Sequence, residues 1–294
     1  MYKVTNKLIL AQDIKRIDIS APEICRMAQP GQFVMIQPRR HTKQIPMTII
    51  EKDERKGSIT LIVHEVGLVT KLLGALQINE EIPFIMGPLG RPSKIEKLGS
   101  VVVIATGIGA AQILPMARAF KKAGNKIIGI MGAKTKKLLM LEAQMRVVCD
   151  ELKITTNDGS YEKKGLATDI LSMILERQTI HAVYAIGSVD MMKAASAMTK
   201  DKAIKTFVYL NTMMLNGLGL CGACRVQVAG QERLACIDGP EFDGHQVNFD
   251  ELEIRTNAYK ELDAWGNLKS SYNPKKDESG IFPRLLSGLA KSRR

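Results

Sequence analysis

The sequence predicts an α/β plus β protein: an N-terminal antiparallel β-barrel, a doubly wound parallel sheet and a small C-terminal cysteine module. Three observations predict this order. Short strand-like runs separated by charged turns occupy residues 1–98. Buried strands alternate with helices over residues 99–210. Three cysteines then share a glycine-rich stretch within residues 211–256, and a polar tail covers residues 257–294.

The first part reads as strands at 33–36, 58–63 and 81–86, with one helical stretch near 69–76. Short strands with turn signals favour a small β-barrel. Hydroxyl and free backbone groups at strand ends, followed by a helix start, are candidate contacts for a flavin ring and its diphosphate. An ordinary strand and turn is the alternative interpretation. The candidate flavin contacts are Gln44, Pro46, Met47, Thr48, Ile49, Gly67, Val69 and Thr70.

The second part alternates buried strands with helices. Strands are expected at 101–104, 127–131, 154–156, 182–186 and 207–210, and helices at 112–123, 138–152, 167–175 and 191–198. Strands alternating with helices of this length indicate a parallel sheet that is covered on both faces.

A glycine-rich turn follows the first of these buried strands. Gly107 and Gly109 would let the backbone approach a pyrophosphate, whose charge the N-terminus of the next helix favours. Gln112 replaces the third glycine of the G-x-G-x-x-G pattern, so a tight turn without a ligand is the alternative. Ligands of doubly wound sheets bind at the carboxyl ends of the strands. Further candidates at those ends are Asp158, Gly159 and Gly187.

The cysteine module carries most of the functional information. Cys221, Cys224 and Cys236 match three positions of the plant-type C-x4-C-x2-C…C pattern of iron–sulfur proteins, and Asn216 occupies the first. Gly217, Gly219 and Gly222 alternate with the candidate ligands, which suits a backbone that wraps an inorganic core. Two alternatives stay open: a zinc site completed by His245, and thiols that are merely small buried side chains.

Composition limits the class of protein. At 294 residues with 45% hydrophobic content, the chain is expected to fold into about two domains. Five cysteines, only three of them clustered, do not resemble a disulfide framework, so we expect a reducing, cytoplasmic location. No signal segment or membrane span is expected. The net charge of +12 is diffuse and lacks a nucleic-acid-binding motif, so no nucleic-acid partner is expected.

Several motifs together resemble one known family over residues 1–256. They are the stretches at 30–34, 45–49, 87–90, 158–160, 187–192, 221–226 and 235–242. The chain resembles ferredoxin-reductase-type subunits, typified by the electron-transfer subunit of dihydroorotate dehydrogenase, the beta subunit of sulfide dehydrogenase, and the small (alpha) subunit of NADH-dependent reduced ferredoxin:NADP+ oxidoreductase. The last two are the closer likenesses.

This resemblance implies an FAD-binding barrel, an NAD(P)-binding domain and a 2Fe–2S module in one subunit. It also implies electron transfer between NAD(P)H, FAD, the cluster and a partner, with no catalytic side chain needed. The implied partner is a larger flavin and iron–sulfur subunit similar to the small subunit of glutamate synthase, with ferredoxin as a further candidate. The alternatives are the dihydroorotate dehydrogenase type and a non-catalytic binding or regulatory module.

The chain departs from the family pattern at three positions. Relatives generally have Arg where Gln44 stands, and that Arg is expected to contact the flavin phosphate. They have Cys or Asp where Asn216 stands, and commonly Pro where Gln112 stands. Two of these changes remove charge at expected cofactor contacts.

Overall fold

Antiparallel strands dominate the N-terminal part of the computed structural model, which describes residues 2–11 and 13–257. They form two sheets, in the orders β5-β6-β2-β1-β7 and β4-β3-β8. Buried aliphatic side chains from both sheets pack into one core. The strands are β1 (Tyr2–Ala11), β2 (Ile14–Ser20), β3 (Phe33–Gln37), β4 (Ile45–Thr48), β5 (Glu51–Asp53), β6 (Ser58–His64), β7 (Glu81–Ile82) and β8 (Phe84–Leu89).

Two helices accompany these sheets. The predicted helix is present as α2 (Leu68–Ala75). The expectation of a single helical stretch is wrong, because α1 (Pro22–Met27) precedes β3. Its signals are local: Pro22 at the helix start, Glu23 in the first turn and Arg26 in the last turn all favour a helix.

The middle of the chain forms the predicted parallel sheet, in the order β12-β11-β10-β9-β13-β14-β17. The strands are β9 (Ser100–Thr106), β10 (Lys126–Ala133), β11 (Glu151–Thr156), β12 (Lys163–Lys164), β13 (Ala182–Ile186) and β14 (Lys205–Tyr209), with β17 (Glu241–Asp243) antiparallel at the edge. The helices are α3 (Gly109–Lys122), α4 (Glu142–Val148), α5 (Ala167–Arg177) and α6 (Val189–Lys200).

Side chains of β9 alternate between two cores. Val102 and Ile104 belong to the core that includes α5 and α6, whereas Val101 and Val103 belong to the core that includes α3 and α4. Helices therefore cover both faces of the sheet, as the continuous apolar strands predict. The chain reverses its winding direction at β9, which lies between β10 and β13.

The helix expected at 138–152 is shorter than predicted. It covers only α4, which is preceded by a left-handed residue, Leu141, at φ 59°. The Asp150 carboxylate and amide pair with the backbone of Ile127, at 2.8 Å each, and β11 follows at once beside β10. Sheet pairing thus outweighs the local helical pattern in this segment.

The C-terminal module contains the hairpin β15 (Arg225–Val228) and β16 (Gln231–Leu234). It also supplies β17, which pairs with β14 through Val208 and Phe242. Residues 249–257 are helical. The predicted polar tail lies outside the described residues apart from Asn257. Among residues 2–11 and 13–257, no helix combines the length and apolar character that a bilayer span requires.

Candidate functional site

A cavity of about 320 Å³ lies where β4 and α2 face the start of α3 and the end of β14. Four of the predicted flavin contacts line it: Pro46, Met47, Thr48 and Thr70. The opposite lining comes from the parallel-sheet part and the segment after it. These residues are Ile108, Ala111, Gln112, Tyr209, Leu210, Asn211, Thr212 and Met214. The structure therefore brings together two regions that are far apart in sequence.

The other four predicted flavin contacts do not line this cavity. Ile49 is buried in the core of the two antiparallel sheets. Gly67 precedes α2, and its amide donates to Thr70 Oγ1 at 3.0 Å. Val69 lies in the first turn of α2, and Gln44 is half-buried just before β4. These four residues therefore lie close in sequence to the residues that line the cavity, but they do not form its wall.

Sequence reasoning missed the polar groups that the parallel-sheet part contributes. Gln112 Nε2 donates to Asn211 Oδ1 at 2.8 Å, and Asn211 Nδ2 donates back to Gln112 Oε1 at 3.1 Å. Gln112 Nε2 also reaches Thr48 Oγ1 at 3.3 Å. The hydroxyl of Thr212 is buried without a partner among the described residues. The only sequence signal was the unusual identity of Gln112.

The predicted dinucleotide contacts lie at the carboxyl ends of β9, β11 and β13, at one edge of the sheet. Gly107 follows β9 in the left-handed region, at φ 56°, and a Cβ added there would meet nothing within 4 Å. This combination of left-handed backbone and open space leaves room for a ligand beside the main chain.

Gly109 and Gly187 have different surroundings. A Cβ at Gly109 would collide with the carbonyl oxygen of Ile186, and one at Gly187 would collide with Thr106 Oγ1. Gly109 therefore allows α3 to pack closely against the end of β13. The open space that we expected at both glycines of the turn is found at Gly107 alone.

Asp158 and Gly159 form the turn after β11. Asp158 Oδ1 accepts hydrogen bonds from the Ser160 hydroxyl at 2.7 Å and the Ser160 amide at 3.0 Å. These bonds, the hydroxyl first, lower the pKa of Asp158. Gly159 has a positive φ of 78°. The turn thus presents an ionised carboxylate at the carboxyl edge of the sheet.

The structure groups the four candidate cluster ligands of the cysteine module into two pairs. Cys224 Sγ and Cys236 Sγ lie 3.3 Å apart, and both residues are buried. Cys221 Sγ lies 3.7 Å from Asn216 Oδ1, and Cys221 is exposed. The intervening glycines have positive φ: Gly217 at 71°, Gly219 at 76° and Gly222 at 65°. The loop therefore has the left-handed turns that a wrapping backbone requires.

Local surroundings act on the thiols in opposite directions. Burial, and then the neighbouring Cys224 thiol, raise the pKa of Cys236 to about 12. The hydrogen bond from the Ala223 amide lowers the pKa of Cys221. Without a bound cation the Cys236 thiol therefore stays protonated, since a metal ion is what deprotonates a coordinating thiol.

The structure does not assemble the zinc site completed by His245. His245 Nε2 is hydrogen-bonded to Thr199 Oγ1 on α6 at 3.0 Å. Within the described ranges, no three or more His, Cys, Asp or Glu side chains are grouped to hold one metal ion. The exposure of Cys221 also argues against the alternative in which all three thiols are core residues.

The chain is similar to known proteins over most of its length. Residues 211–248 match the family described as the iron–sulfur cluster binding domain of dihydroorotate dehydrogenase B. An uncharacterized protein in the adh 3′ region of Clostridium beijerinckii is 40% identical over 270 residues, covering 88% of this chain and 91% of that protein. A dihydroorotate dehydrogenase B (NAD(+)) electron transfer subunit homolog from Thermotoga maritima is 36% identical over 261 residues, covering 89% and 92%.

A solved structure extends the likeness to the fold. The structure of the NADH-dependent reduced ferredoxin-NADP oxidoreductase contains a chain that is 34% identical, with a TM-score of 0.86, and the match covers 92% of this chain and 97% of that chain. The resemblance inferred from the sequence motifs is confirmed. The chain belongs to the family of dihydroorotate dehydrogenase B electron-transfer subunits and their homologues.

Proposed function

We propose that this chain is the electron-transfer subunit of a multi-subunit flavin and iron–sulfur oxidoreductase. It moves electrons between NAD(P)H, FAD, a 2Fe–2S cluster and a partner subunit. The observation that carries the proposal is the sorting of the four donor positions into two pairs, Asn216 with Cys221 and Cys224 with Cys236.

Two pairs suit a two-iron centre better than a single metal ion. Tetrahedral coordination with metal–sulfur bonds of about 2.3 Å separates two thiolates on one metal by about 3.8 Å. The 3.3 Å between Cys224 Sγ and Cys236 Sγ needs only a small opening to reach that value. The second pair offers one thiolate, from Cys221, and one amide oxygen, from Asn216. These residues would hold the cluster.

The 320 Å³ cavity suits the ring system of a flavin. Its described lining contains no Lys, Arg, Asp or Glu, so it fits an uncharged ring better than a phosphate. The hydroxyl of Thr212 is buried and has no hydrogen-bond partner among the described residues. Buried polar groups are rarely left without a partner, which favours a ligand in this space. We place the isoalloxazine against Pro46, Met47 and Thr48 and the diphosphate at the start of α2, within a barrel made of the two antiparallel sheets.

The carboxyl edge of the parallel sheet supports binding of a nicotinamide dinucleotide. Gly107 leaves space beside the backbone at the strand where the winding direction reverses. Such switch points are where doubly wound sheets bind ligands. Asp158 after β11 and Gly187 after β13 mark the same edge of the sheet on either side of β9.

The cofactors supply the redox chemistry: a flavin accepts a hydride from nicotinamide and passes electrons on one at a time. The side chains bind these groups, orient them and exclude water from the space between them. Hydride transfer between the cofactors therefore requires no general acid or base from the chain.

The partner is proposed to be a larger flavin and iron–sulfur subunit that resembles the small subunit of glutamate synthase, with ferredoxin as a further electron carrier. Support comes from the relatives' description as electron-transfer subunits. The second candidate function is that of the electron-transfer subunit of a dihydroorotate dehydrogenase. The family match over residues 211–248 favours it. Identification of the protein that co-purifies with the chain distinguishes the two.

The experiment is anaerobic purification of the full chain, followed by measurement of FAD, iron, acid-labile sulfide and the visible spectrum. We expect one FAD, two irons and two sulfides per chain. Cys224→Ser should lose the cluster and electron delivery to the co-purifying partner while the flavin is still reduced by NAD(P)H.

Cys25→Ser is the matched control, because Cys25 is equally buried but lies in α1. A colourless protein would support the non-catalytic alternative, and stoichiometric zinc without iron would contradict the cluster. If Cys224→Ser delivered electrons to the partner at the wild-type rate, the cluster would not lie on the electron-transfer path.

A further inference from the structure

The amides of Gln112 and Asn211 form a reciprocal pair in the wall of the 320 Å³ cavity. Each side chain donates one hydrogen bond to the oxygen of the other, at 2.8 and 3.1 Å. Gln112 lies in the first turn of α3, and Asn211 follows the carboxyl end of β14. The pair therefore sits at the edge of the parallel sheet where that edge meets β4.

A count of donors and acceptors shows which groups stay open to a ligand. Both N–H groups of Gln112 are used, one toward Asn211 and one toward Thr48. Asn211 has a second N–H and a second oxygen lone pair for which the described residues provide no partner, because a primary amide offers two donors and two acceptor sites. Asn211 is exposed, and the buried hydroxyl of neighbouring Thr212 is unpartnered as well.

These open groups are neutral, and the described cavity lining contains no Lys, Arg, Asp or Glu. A ligand that is recognised here is therefore an uncharged group with one acceptor oxygen and N–H donors close together. A primary carboxamide has this composition. It can also replace either amide of the pair without loss of hydrogen bonds, because it offers the same donors and acceptor.

We propose that Gln112 and Asn211, assisted by the Thr212 hydroxyl, recognise the carboxamide of the nicotinamide ring. This inference rests on the proposed function and adds the group that selects the reactive end of the dinucleotide. The flavin contacts are assigned to β4 and α2, whereas this pair belongs to the sheet edge assigned to the dinucleotide. Thr48, bonded to Gln112, connects the two regions.

The test uses the full chain with bound FAD. Dissociation constants are measured for NAD+, NADP+ and their acetylpyridine analogues, in which a methyl group replaces the amide nitrogen. The signal is the change in flavin absorbance. Variants are Gln112→Met, which keeps length without an amide, and Asn211→Leu at an exposed position that tolerates substitution. Gln227→Met is the control, because Gln227 forms the comparable amide pair with Asn248 in the cysteine module.

The wild type should bind the natural dinucleotide about 2- to 13-fold more tightly than its analogue, the range for one neutral hydrogen bond. In both variants this ratio should fall to about one, because an acceptor for the N–H groups of the carboxamide is lost, while Gln227→Met keeps the ratio of the wild type. FAD content should not change in any of them.

Two results would overturn this inference and leave the proposed function intact. In the first, the variants keep the wild-type ratio of affinities for the natural dinucleotide and its analogue. In the second, the variants lose FAD, which would assign the two amides to flavin binding. Wild-type protein that binds no FAD would contradict the proposed function itself, and with it this inference.

Discussion

Tyr209 donates its phenolic hydrogen to the carbonyl oxygen of Gly31 at 2.6 Å, across 178 positions of sequence. Both residues are buried. Tyr209 ends β14 of the parallel sheet, and Gly31 precedes β3 of the antiparallel sheets. Burial raises the pKa of Tyr209, so the phenol remains a donor throughout the ordinary pH range. This bond joins the antiparallel sheets to the parallel sheet beside the 320 Å³ cavity, which Tyr209 lines.

Replacement of Tyr209 by Phe should lower the free energy of unfolding by about 1–3 kcal/mol, since the Gly31 carbonyl would be buried without its partner. Denaturant titration measures the change, and FAD retention should fall in parallel. Tyr161→Phe is the control, because the Tyr161 hydroxyl donates to half-buried Glu142 within the parallel-sheet part. If both substitutions lowered the free energy of unfolding equally, the Tyr209–Gly31 bond would contribute no more to stability than the Tyr161–Glu142 bond.

The two glycines after β9 should respond differently to alanine. Gly109→Ala should lower stability by about 1–3 kcal/mol, because the methyl group overpacks against the Ile186 carbonyl. Gly107→Ala should weaken nicotinamide-dinucleotide binding while costing only about 1–2 kcal/mol for a left-handed alanine. Gly230→Ala matches Gly107 in φ and open space but lies in the β15–β16 turn. Equal dinucleotide affinity in Gly107→Ala and Gly230→Ala would contradict the assigned site.

Asn216→Cys should supply the fourth thiolate. Because Asn216 Oδ1 lies 3.7 Å from Cys221 Sγ, a thiol at this position would reach the same iron. We expect iron to be lost to a chelator about tenfold more slowly, the scale on which supporting groups alter metal affinity. Iron content against time of chelation measures this. Asn248→Cys adds a thiol elsewhere in the module, and similar retention in both variants would place Asn216 outside the coordination sphere.

Gln44→Arg tests the position at which relatives carry a cation. A charge-assisted bond to the flavin phosphate should tighten FAD binding by roughly 1 to 3 kcal/mol. Equilibrium dialysis of FAD measures it. Gln29→Arg adds the same charge at an exposed position outside this loop. Unchanged affinity in Gln44→Arg would show that the side chain does not face the phosphate.

Glu241 should make stability depend on pH. Burial raises its pKa above the ordinary value of 4.5, and the hydrogen bond with Ser93 Oγ, at 2.5 Å, opposes the shift. The folded state therefore binds this proton more tightly than the unfolded state. Its contribution to stability is complete below the unfolded pKa and is lost as pH rises through the raised folded pKa.

The measurement is the unfolding free energy from pH 4.5 upward for the wild type and Glu241→Gln. The wild type should lose stability relative to the variant as pH rises. Glu176→Gln, at an exposed position of α5, controls for the loss of a carboxylate. Parallel pH profiles of the wild type and Glu241→Gln would contradict the assignment.

The sequence by itself determined the parallel sheet and the position of the metal-binding module. A continuous apolar run such as residues 101–104 indicates a strand that is buried on both faces of the sheet. The apolar character of each residue is enough to indicate this. The cysteine spacing likewise restricts which thiols can reach one centre, because a short loop limits their separation. The sequence did not determine the length of every helix. The segment 138–152 has a helical pattern, but its last two residues belong to β11 because they pair with β10.

Only the tertiary structure decided which residues line the 320 Å³ cavity. Gln112 and Asn211 are 99 positions apart, and no periodicity connects them. The different surroundings of Gly107 and Gly109 depend on where β13 ends, which the turn sequence does not contain. The physical reason is that local patterns record whether a residue is buried, whereas its contacts are set by how separate sheets and helices pack together.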